Sequence, residues 1–239
     1  MDYGDTEVLV RINGLDTPYW KEDIRVCVAG GADGIRIAKC ESACDVRQVE
    51  HEVEAAEAEF GVEKGRTLLM AALESPKAVL ASYEICAASP RMLGVALSGG
   101  DFRKCMQVSP SASGIELAAA RGHIVLTARA AGVQCFDTVF TDLDDMEGFR
   151  REVIANHQMG FDGKSVINPK QIPVVHELFM PTQKEILSAE KIVRAVREQA
   201  AQGIGVFTID GKMIDIAFLP GAARTIALAK ACGVYKGDL

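Results

Sequence analysis

The chain has 239 residues, of which 49% are hydrophobic, and its formal net charge at pH 7 is −7. A chain of this length and composition can bury the core of one α/β domain, so we do not expect intrinsic disorder. The acidic balance and the lack of a Lys/Arg-rich run argue against nucleic acid or an anionic membrane as the main partner.

Targeting and redox signals are also missing from the sequence. The first residues, MDYGDTEV, lack the basic and apolar regions of a signal peptide, and no stretch reaches the roughly 18 apolar residues of a membrane span. We therefore expect a cytoplasmic protein without membrane contact. The seven cysteines are odd in number and form no CxxC pair, so we expect no disulfide framework.

Apolar runs typical of buried strands alternate with segments of helical periodicity. The predicted strands cover residues 7–12, 34–38, 67–73, 93–98, 135–140 and 163–167. The predicted helices between them cover residues 18–29, 42–60, 75–88, 114–131 and 144–159. This alternation requires parallel strands that are joined by helical crossovers.

The C-terminal part has a different pattern. Pro169 occupies a position typical of the first residue of a helix, and a short helix, a long helix near 182–201 and a last helix near 219–232 are predicted after it. An Asp-Gly pair between the last two helices predicts a small hairpin. We therefore divide the chain into a barrel core, residues 1–180, and a C-terminal helical extension with a hairpin, residues 181–239.

The number of predicted strands leaves two architectures open. A closed TIM-type (β/α) barrel has eight strands, whereas six are predicted here and the first begins close to residue 1. The chain is either a TIM-type barrel that lacks its first two βα units or an open doubly wound sheet.

Three strand-like runs end in a polar side chain: EVLVRIN at Arg11, TLLMAALES at Glu74 and MLGVALSGGD at Asp101. In a barrel, the strand ends that precede the helices form the active site, so these residues are predicted to share one pocket. Two carboxylates suit Mg²⁺, and an arginine can bind a substrate carboxylate with two hydrogen bonds.

Simpler interpretations remain open for each of these residues. Arg11 can be a solvated strand-end residue, Glu74 a helix cap or a surface carboxylate, and Asp101 the N-cap of the following helix. Lys39, at the end of GIRIAK, is an alternative candidate as the Schiff-base lysine of an aldolase. No P-loop, zinc-protease or serine-hydrolase motif occurs.

Taken together, these motifs resemble the citrate lyase beta subunit family, within the wider HpcH/HpaI-like aldolase group. The resemblance runs nearly end to end, through VRINGLDTPYWKEDI, GADGIRIAK, LLMAALESPKAV, DTVFTDLDDMEGF and GFDGKSVINPKQIPVVHELFMPTQKE. It implies a TIM-type (β/α) barrel and a Mg²⁺-dependent cleavage of a citryl thioester, carried by acyl carrier protein or coenzyme A, to oxaloacetate and an acetyl thioester.

The resemblance also implies roles for individual residues. Glu74 and Asp101 match metal ligands, Glu74 is also expected to bind the substrate, and Arg11 matches an arginine that binds the substrate carboxylate. Asp215 matches a catalytic aspartate that reaches into the site of a neighbouring subunit. The implied partners are a citrate lyase alpha subunit, an acyl carrier protein, and further copies of the chain in a trimer or hexamer.

Two departures from the family pattern leave alternatives open. Family members usually begin about seventy residues earlier, and they usually carry a glutamate where this chain has Gly100. A stand-alone malyl- or citramalyl-CoA lyase is one alternative. A truncated, inactive family member with an assembly role is the other.

Overall fold

The computed structural model describes residues 3–4, 6–201 and 206–239. The chain divides into two compact units, residues 1–175 and 176–239, and each is described by itself. In the part of the chain that the structure describes, no helix is both long and apolar enough to cross a membrane.

The first unit contains one sheet of six parallel strands. They are β1 (Leu9–Arg11), β2 (Gly34–Ile37), β3 (Leu68–Leu73), β4 (Met92–Leu97), β5 (Gln134–Asp137) and β6 (Gly163–Lys164). The spatial order of the strands is the same as their order in the chain. A doubly wound sheet reverses its strand order, so that alternative is wrong. The strands form a curled half-barrel, which confirms the predicted TIM-type architecture.

Helices connect the strands of the first unit. They are α1 (Trp20–Ala29), α2 (Ala43–Phe60), α3 (Pro76–Leu80), α4 (Ser82–Cys86), α5 (Gly99–Met106), α6 (Ile115–Ala131) and α7 (Met146–Met159). The single helix predicted over 75–88 is interrupted at Ala81, whose φ and ψ of −91° and 8° lie outside the helical region. Helix α5 is absent from the predicted helices and is considered only as a helix that Asp101 would cap; its start is rich in glycine, which is typical of a turn.

Polar side chains set the helix starts that the sequence did predict. Ser42 and Asp45 form a reciprocal capping box at α2, and Asp145 accepts a hydrogen bond from the Gly148 amide at the start of α7. Asn168 caps the short 3₁₀ helix Pro169–Gln171, which precedes α8 (Ile172–Phe179).

The core of the first unit lies between the sheet and its helices. Alternate strand residues such as Ile35, Leu69 and Val95 are fully buried and pack with Ile24 of α1 and Ile124 of α6. Burying each of these side chains contributes about 1.5–3 kcal/mol. This packing holds the strands in register and so fixes where their ends lie.

A buried ion pair connects Arg91, which directly precedes β4, with Glu57 in the last turn of α2. Both guanidinium Nη atoms of Arg91 donate to the carboxylate of Glu57, at 2.8 and 2.7 Å, and the Thr67 and Gly65 amides donate to the same carboxylate. Burial alone raises the pKa of Glu57, but Arg91 and the two amides outweigh it and lower the pKa to about 2.

The second unit is built on α9 (Gln183–Ala201) and α10 (Leu219–Ala231), which pack through Ala189, Val193, Ala222 and Ile226. An antiparallel hairpin of β7 (Val206–Ile209) and β8 (Lys212–Asp215) lies between them in sequence. Asp210 and Gly211 form its turn with positive φ angles of 48° and 78°.

Replacement of Glu57 by glutamine is expected to lower the free energy of unfolding by about 3 kcal/mol at pH 7, because it removes the bidentate partner of the buried Arg91 charge and leaves it only the longer contacts with Glu50 and Glu54, at 3.7 and 3.8 Å. The pKa of Glu57 is lowered on folding, so the pair contributes stability above the ordinary value of 4.5 and loses it as the pH falls toward about 2. The deficit of the variant should therefore shrink between pH 6 and pH 3, as measured by urea unfolding.

Glu59→Gln on the same helix is the matched control. Glu59 forms a solvent-exposed pair with Arg25, so its loss should cost much less stability than the loss of Glu57. Equal losses in the two variants would contradict the importance of the buried pair.

Candidate active site

Glu74 follows β3 directly and is only 9% exposed. The strand ends there because Ser75 and Pro76 begin α3, and the Ser75 hydroxyl accepts a hydrogen bond from the Ala78 amide at 3.2 Å. Ser75 is therefore the helix cap, and Glu74 is neither a cap nor a surface carboxylate. Among the residues that the structure describes, none forms a hydrogen bond or an ion pair with the Glu74 carboxylate.

Asp101 lies in the first turn of α5 and is exposed. The interpretation of Asp101 as a helix N-cap is wrong, because the helix begins at Gly99 and Ser98 is at the N-cap position. Lys104 Nζ lies 2.8 Å from Asp101 Oδ1. This hydrogen bond raises the pKa of Lys104, and the Glu74 carboxylate acts in the same direction. The Lys104 ammonium is thus within electrostatic reach of both carboxylates.

The start of α5 is fixed next to the end of β3. The Ser98 amide donates to the Leu73 carbonyl at 2.9 Å, and the Gly99 amide donates to the Thr138 hydroxyl at 2.8 Å. A Cβ atom at Gly99 would lie 2.9 Å from the Thr138 methyl group, so a side chain there would clash. Farther along α5, the Cys105 thiol donates to the Glu74 carbonyl at 3.9 Å.

Arg11 is the last residue of β1, and its side chain is exposed. The loop after it is held by Asn13, whose backbone amide and Nδ2 both donate to Asp23 Oδ2 at 2.8 Å. Arg11 is the Cα partner of Arg36 in the parallel ladder, and the Ile12 amide donates to the Arg36 carbonyl at 3.1 Å. Two arginines therefore lie side by side on adjacent strands.

Arg36 is a candidate site residue that sequence reasoning missed. The sequence signal that could have identified it is a charged residue in an apolar strand, between Ile35 and Ile37, which are both fully buried. Burial lowers the pKa of Arg36, the Glu74 carboxylate opposes that shift, and the Arg11 guanidinium adds to it. Arg11, Arg36 and Glu74 therefore share one electrostatic neighbourhood.

Lys39 is exposed and has a left-handed backbone with φ of 48°. A Schiff-base lysine is usually activated by removal from water or by a nearby cation. The exposure of Lys39 gives the aldolase alternative no support.

A second feature that the sequence did not reveal is a buried charge network at the ends of β5 and β6. The Asp137 carboxylate is fully buried and accepts hydrogen bonds from Arg121 Nε and Nη2 at 2.9 Å and from Lys164 Nζ at 2.8 Å. Glu152 binds both cations, and Asn156 Nδ2 also donates to Asp137. Burial alone raises the pKa of Asp137, but Lys164 and Arg121 hold it below its ordinary value.

A cleft of about 480 Å³ lies beside this network. It is bounded by the loop after α5, the segment after β5, and α7, with Arg103, Ser111, Phe140 and Arg151 among its lining residues. Its size lies within the range of small-molecule sites.

Asp215 lies in the second unit, at the end of β8. Its Oδ1 accepts a hydrogen bond from the Ala217 amide at 2.8 Å. Large apolar side chains near it in the hairpin and the following turn are exposed, by 57% at Val206, 67% at Met213 and 66% at Ile216. Such an apolar surface is typical of a site that meets a partner.

Glu74 and Asp101 fit a Mg²⁺ ion, which is usually bound by one or two protein carboxylates together with water and substrate oxygens. Glu74 is the stronger candidate, because its shielded carboxylate has no partner in the described part of the chain. No group of three or more His, Cys, Asp or Glu residues suited to a metal occurs among the described residues. A two-carboxylate magnesium site is thus compatible with the structure.

Comparison with protein families gives two matches. The model of the family described as HpcH/HpaI aldolase/citrate lyase matches residues 1–169. A second model, described as a C–C bond lyase of the TIM-barrel fold, matches residues 115–234.

Individual proteins agree with these matches. "Citrate lyase subunit beta" of Leuconostoc mesenteroides subsp. cremoris is 46% identical over 231 residues, covering 97% of this chain and 76% of that protein. A "(3S)-malyl-CoA thioesterase" of Cereibacter sphaeroides is 32% identical and covers 98% of this chain and 78% of its own length. The structure of a citrate lyase beta subunit of Mycobacterium tuberculosis, complexed with oxaloacetate and magnesium, has a TM-score of 0.61 and 27% identity, covering 72% of this chain and 73% of that one.

Replacement of Gly100 by glutamate is expected to strengthen metal binding. A Cβ atom at Gly100 meets no heavy atom within 4 Å, so a side chain can be accommodated next to Asp101. A carboxylate that supports metal ligands changes affinity by about 10-fold or more. We expect the dissociation constant for Mn²⁺, measured by electron paramagnetic resonance, to fall by about that factor.

Gly100→Ala is the control, because the removal of a glycine from a helix by itself stabilises the helix, by up to about 1 kcal/mol for alanine. Equal Mn²⁺ affinity in the alanine and glutamate variants would show that the added carboxylate does not act on the metal.

Proposed function

Because this chain belongs to the HpcH/HpaI aldolase/citrate lyase family, we propose that it cleaves a citryl thioester to oxaloacetate and an acetyl thioester, as the beta subunit of citrate lyase. The main support for the proposal is that Arg11, Glu74 and helix α5, which contains Asp101, lie at the same end of the half-barrel. The 46% identity to a citrate lyase beta subunit supports the choice of substrate.

Glu74 and Asp101 are the residues that would hold Mg²⁺. Bound there, the ion would supply Lewis-acid stabilisation of the oxygen that becomes the oxaloacetate carbonyl. Arg11 binds a substrate carboxylate through its planar guanidinium and so orients the scissile carbon–carbon bond.

The reaction needs a base but no oxidant or reductant. The base removes the proton of the citryl hydroxyl group, and the bond between the carbinol carbon and the thioester α-carbon breaks. The electron pair moves to the thioester as an enolate, which takes up a proton to give the acetyl thioester. We assign the base to Asp215 of a neighbouring copy, and the exposed apolar side chains near Asp215 support such a contact.

The thioester is carried by acyl carrier protein or coenzyme A, and we assign its carrier arm to the cleft of about 480 Å³ beside Arg103. The proposed assembly contains a citrate lyase alpha subunit, an acyl carrier protein and a trimer or hexamer of this chain in the cytoplasm. Cleavage of malyl- or citramalyl-CoA by the chain alone is the second candidate, and the malyl-CoA thioesterase at 32% identity supports malyl-CoA as its substrate.

The purified chain should release oxaloacetate from citryl-CoA in a Mg²⁺-dependent manner, as measured by coupled NADH oxidation with malate dehydrogenase. Glu74→Gln and Asp101→Asn should each lower kcat/KM by about 100-fold or more, since each removes part of the electrostatic stabilisation. Glu63→Gln, an exposed carboxylate before β3, should leave the rate unchanged.

Cleavage of malyl-CoA in preference to citryl-CoA would favour the second candidate. No turnover of either thioester, with or without an alpha subunit and a carrier protein, would contradict the lyase proposal and favour an assembly role.

A mixture of two inactive variants tests the assignment of Asp215. Asp215→Asn and Glu74→Gln should each be nearly inactive. Co-expression of the two should restore about a quarter of the activity per total chain, because about a quarter of the shared sites then contain an intact Glu74 from one copy and an intact Asp215 from its neighbour. An Asp215→Asn variant with full activity would exclude a catalytic role. No recovery in assembled mixtures would place both residues in the site of one copy.

A further inference from the structure

The half-buried Arg36 differs from the buried arginines of the first unit because it lacks an ion-pair partner among the described residues. Arg91 binds the Glu57 carboxylate, and Arg121 binds that of Asp137. In the described part of the chain, Arg36 forms no ion pair, and its buried Nε has no hydrogen-bond partner. Holding a guanidinium partly out of water without a partner is unfavourable. Arg36 is therefore better explained by a ligand than by the stability of the fold.

The strand register brings Arg36 to the candidate site. Its Cα partners are Arg11 on β1 and Met70 on β3. Because side chains alternate along a strand, Met70, Ala72 and Glu74 lie on one face. Arg11 and Arg36 belong to that same face, which agrees with the effect of both Arg11 and Glu74 on the pKa of Arg36.

The charges on this face do not balance. The Arg36 guanidinium lies between two charges, the Arg11 guanidinium on β1 and the Glu74 carboxylate after β3. If Glu74 binds a metal ion, as the proposed function requires, the two guanidinium groups are left without an anion from the described residues. Like charges on adjacent strands repel, and an anionic ligand relieves this repulsion. A ligand with two carboxylates would supply one anion to each arginine.

The two candidate thioester substrates differ in their number of free carboxylates. A citryl thioester keeps two free carboxylates, and its oxaloacetate product has two. A malyl thioester keeps only one. We propose that Arg36 is a second carboxylate-binding residue beside Arg11, and that it selects thioesters with two free carboxylates over those with one. This inference rests on the proposed lyase function and adds the basis of its substrate choice.

Oxaloacetate and pyruvate provide the probe, because both are 2-oxo acids and they differ by one carboxylate. Their dissociation constants should be measured by titration calorimetry with Mg²⁺ for the unaltered chain and for Arg36→Met, Arg36→Lys and Arg66→Met. The last is a control at an exposed arginine that lies before β3. The ratio of the two constants is the readout, since a general loss of structure would weaken both ligands alike.

We expect the unaltered chain to bind oxaloacetate about 10- to 100-fold more tightly than pyruvate, the range for one charge-assisted interaction. Arg36→Met should abolish most of this preference and change pyruvate binding by less than about threefold. Arg36→Lys should keep part of the preference, and Arg66→Met all of it. If Arg36→Met does not fold, Arg36→Lys provides the test: a smaller preference for oxaloacetate over pyruvate in that variant would support the inference.

An unchanged ratio in folded Arg36 variants would overturn the inference, even if the chain cleaves citryl-CoA. Arg36-dependent binding of oxaloacetate without any cleavage of citryl-CoA would uphold the dicarboxylate site and contradict the lyase proposal. A chain that binds neither oxo acid would contradict both.

Discussion

The candidate site depends on the parallel hydrogen-bond ladder of the six-stranded sheet. In a parallel sheet with helical crossovers, all strands end at the same edge, so side chains far apart in sequence meet there. The ladder continues past the strands themselves: the Cys40 amide donates to the Ala72 carbonyl, and the Ser98 amide donates to the Leu73 carbonyl. Glu74 and the start of α5 are therefore positioned by backbone hydrogen bonds rather than by their own side-chain contacts.

Charged residues in the first unit serve two different purposes. In the Arg91–Glu57 pair and in the network around Asp137, each buried charge contacts an opposite charge at hydrogen-bonding distance. Arg36 and Glu74 are left without such contacts in the described residues. A charge that is held out of water without an opposite charge lowers stability, so the unpaired charges of Arg36 and Glu74 indicate ligand binding rather than a role in stability.

Catalysis as proposed would also involve the second unit. Its helices α9 and α10 bury a small apolar core, while its hairpin exposes Val206 and Met213. Asp215 lies on the same hairpin, so a neighbouring copy that covers these apolar side chains would also approach Asp215. Oligomerisation would then complete the active site as well as bury apolar surface, which links assembly to activity.

The sequence by itself determined the order of the six strands and of most helices between them, because apolar periodicity and capping residues such as Ser42 and Asp145 are local signals. It also indicated Glu74 and Asp101, since a polar residue after an apolar run marks a strand end.

The residue at which α5 begins was not predictable from the sequence. Glycine is needed at position 99 because its backbone contacts Thr138, which lies thirty-nine residues away in the chain. The pairing of Arg11 with Arg36 and the closure of the Asp137 network were likewise decided only by the tertiary structure. Both depend on strand register and on which charges meet in space, and a linear pattern contains neither.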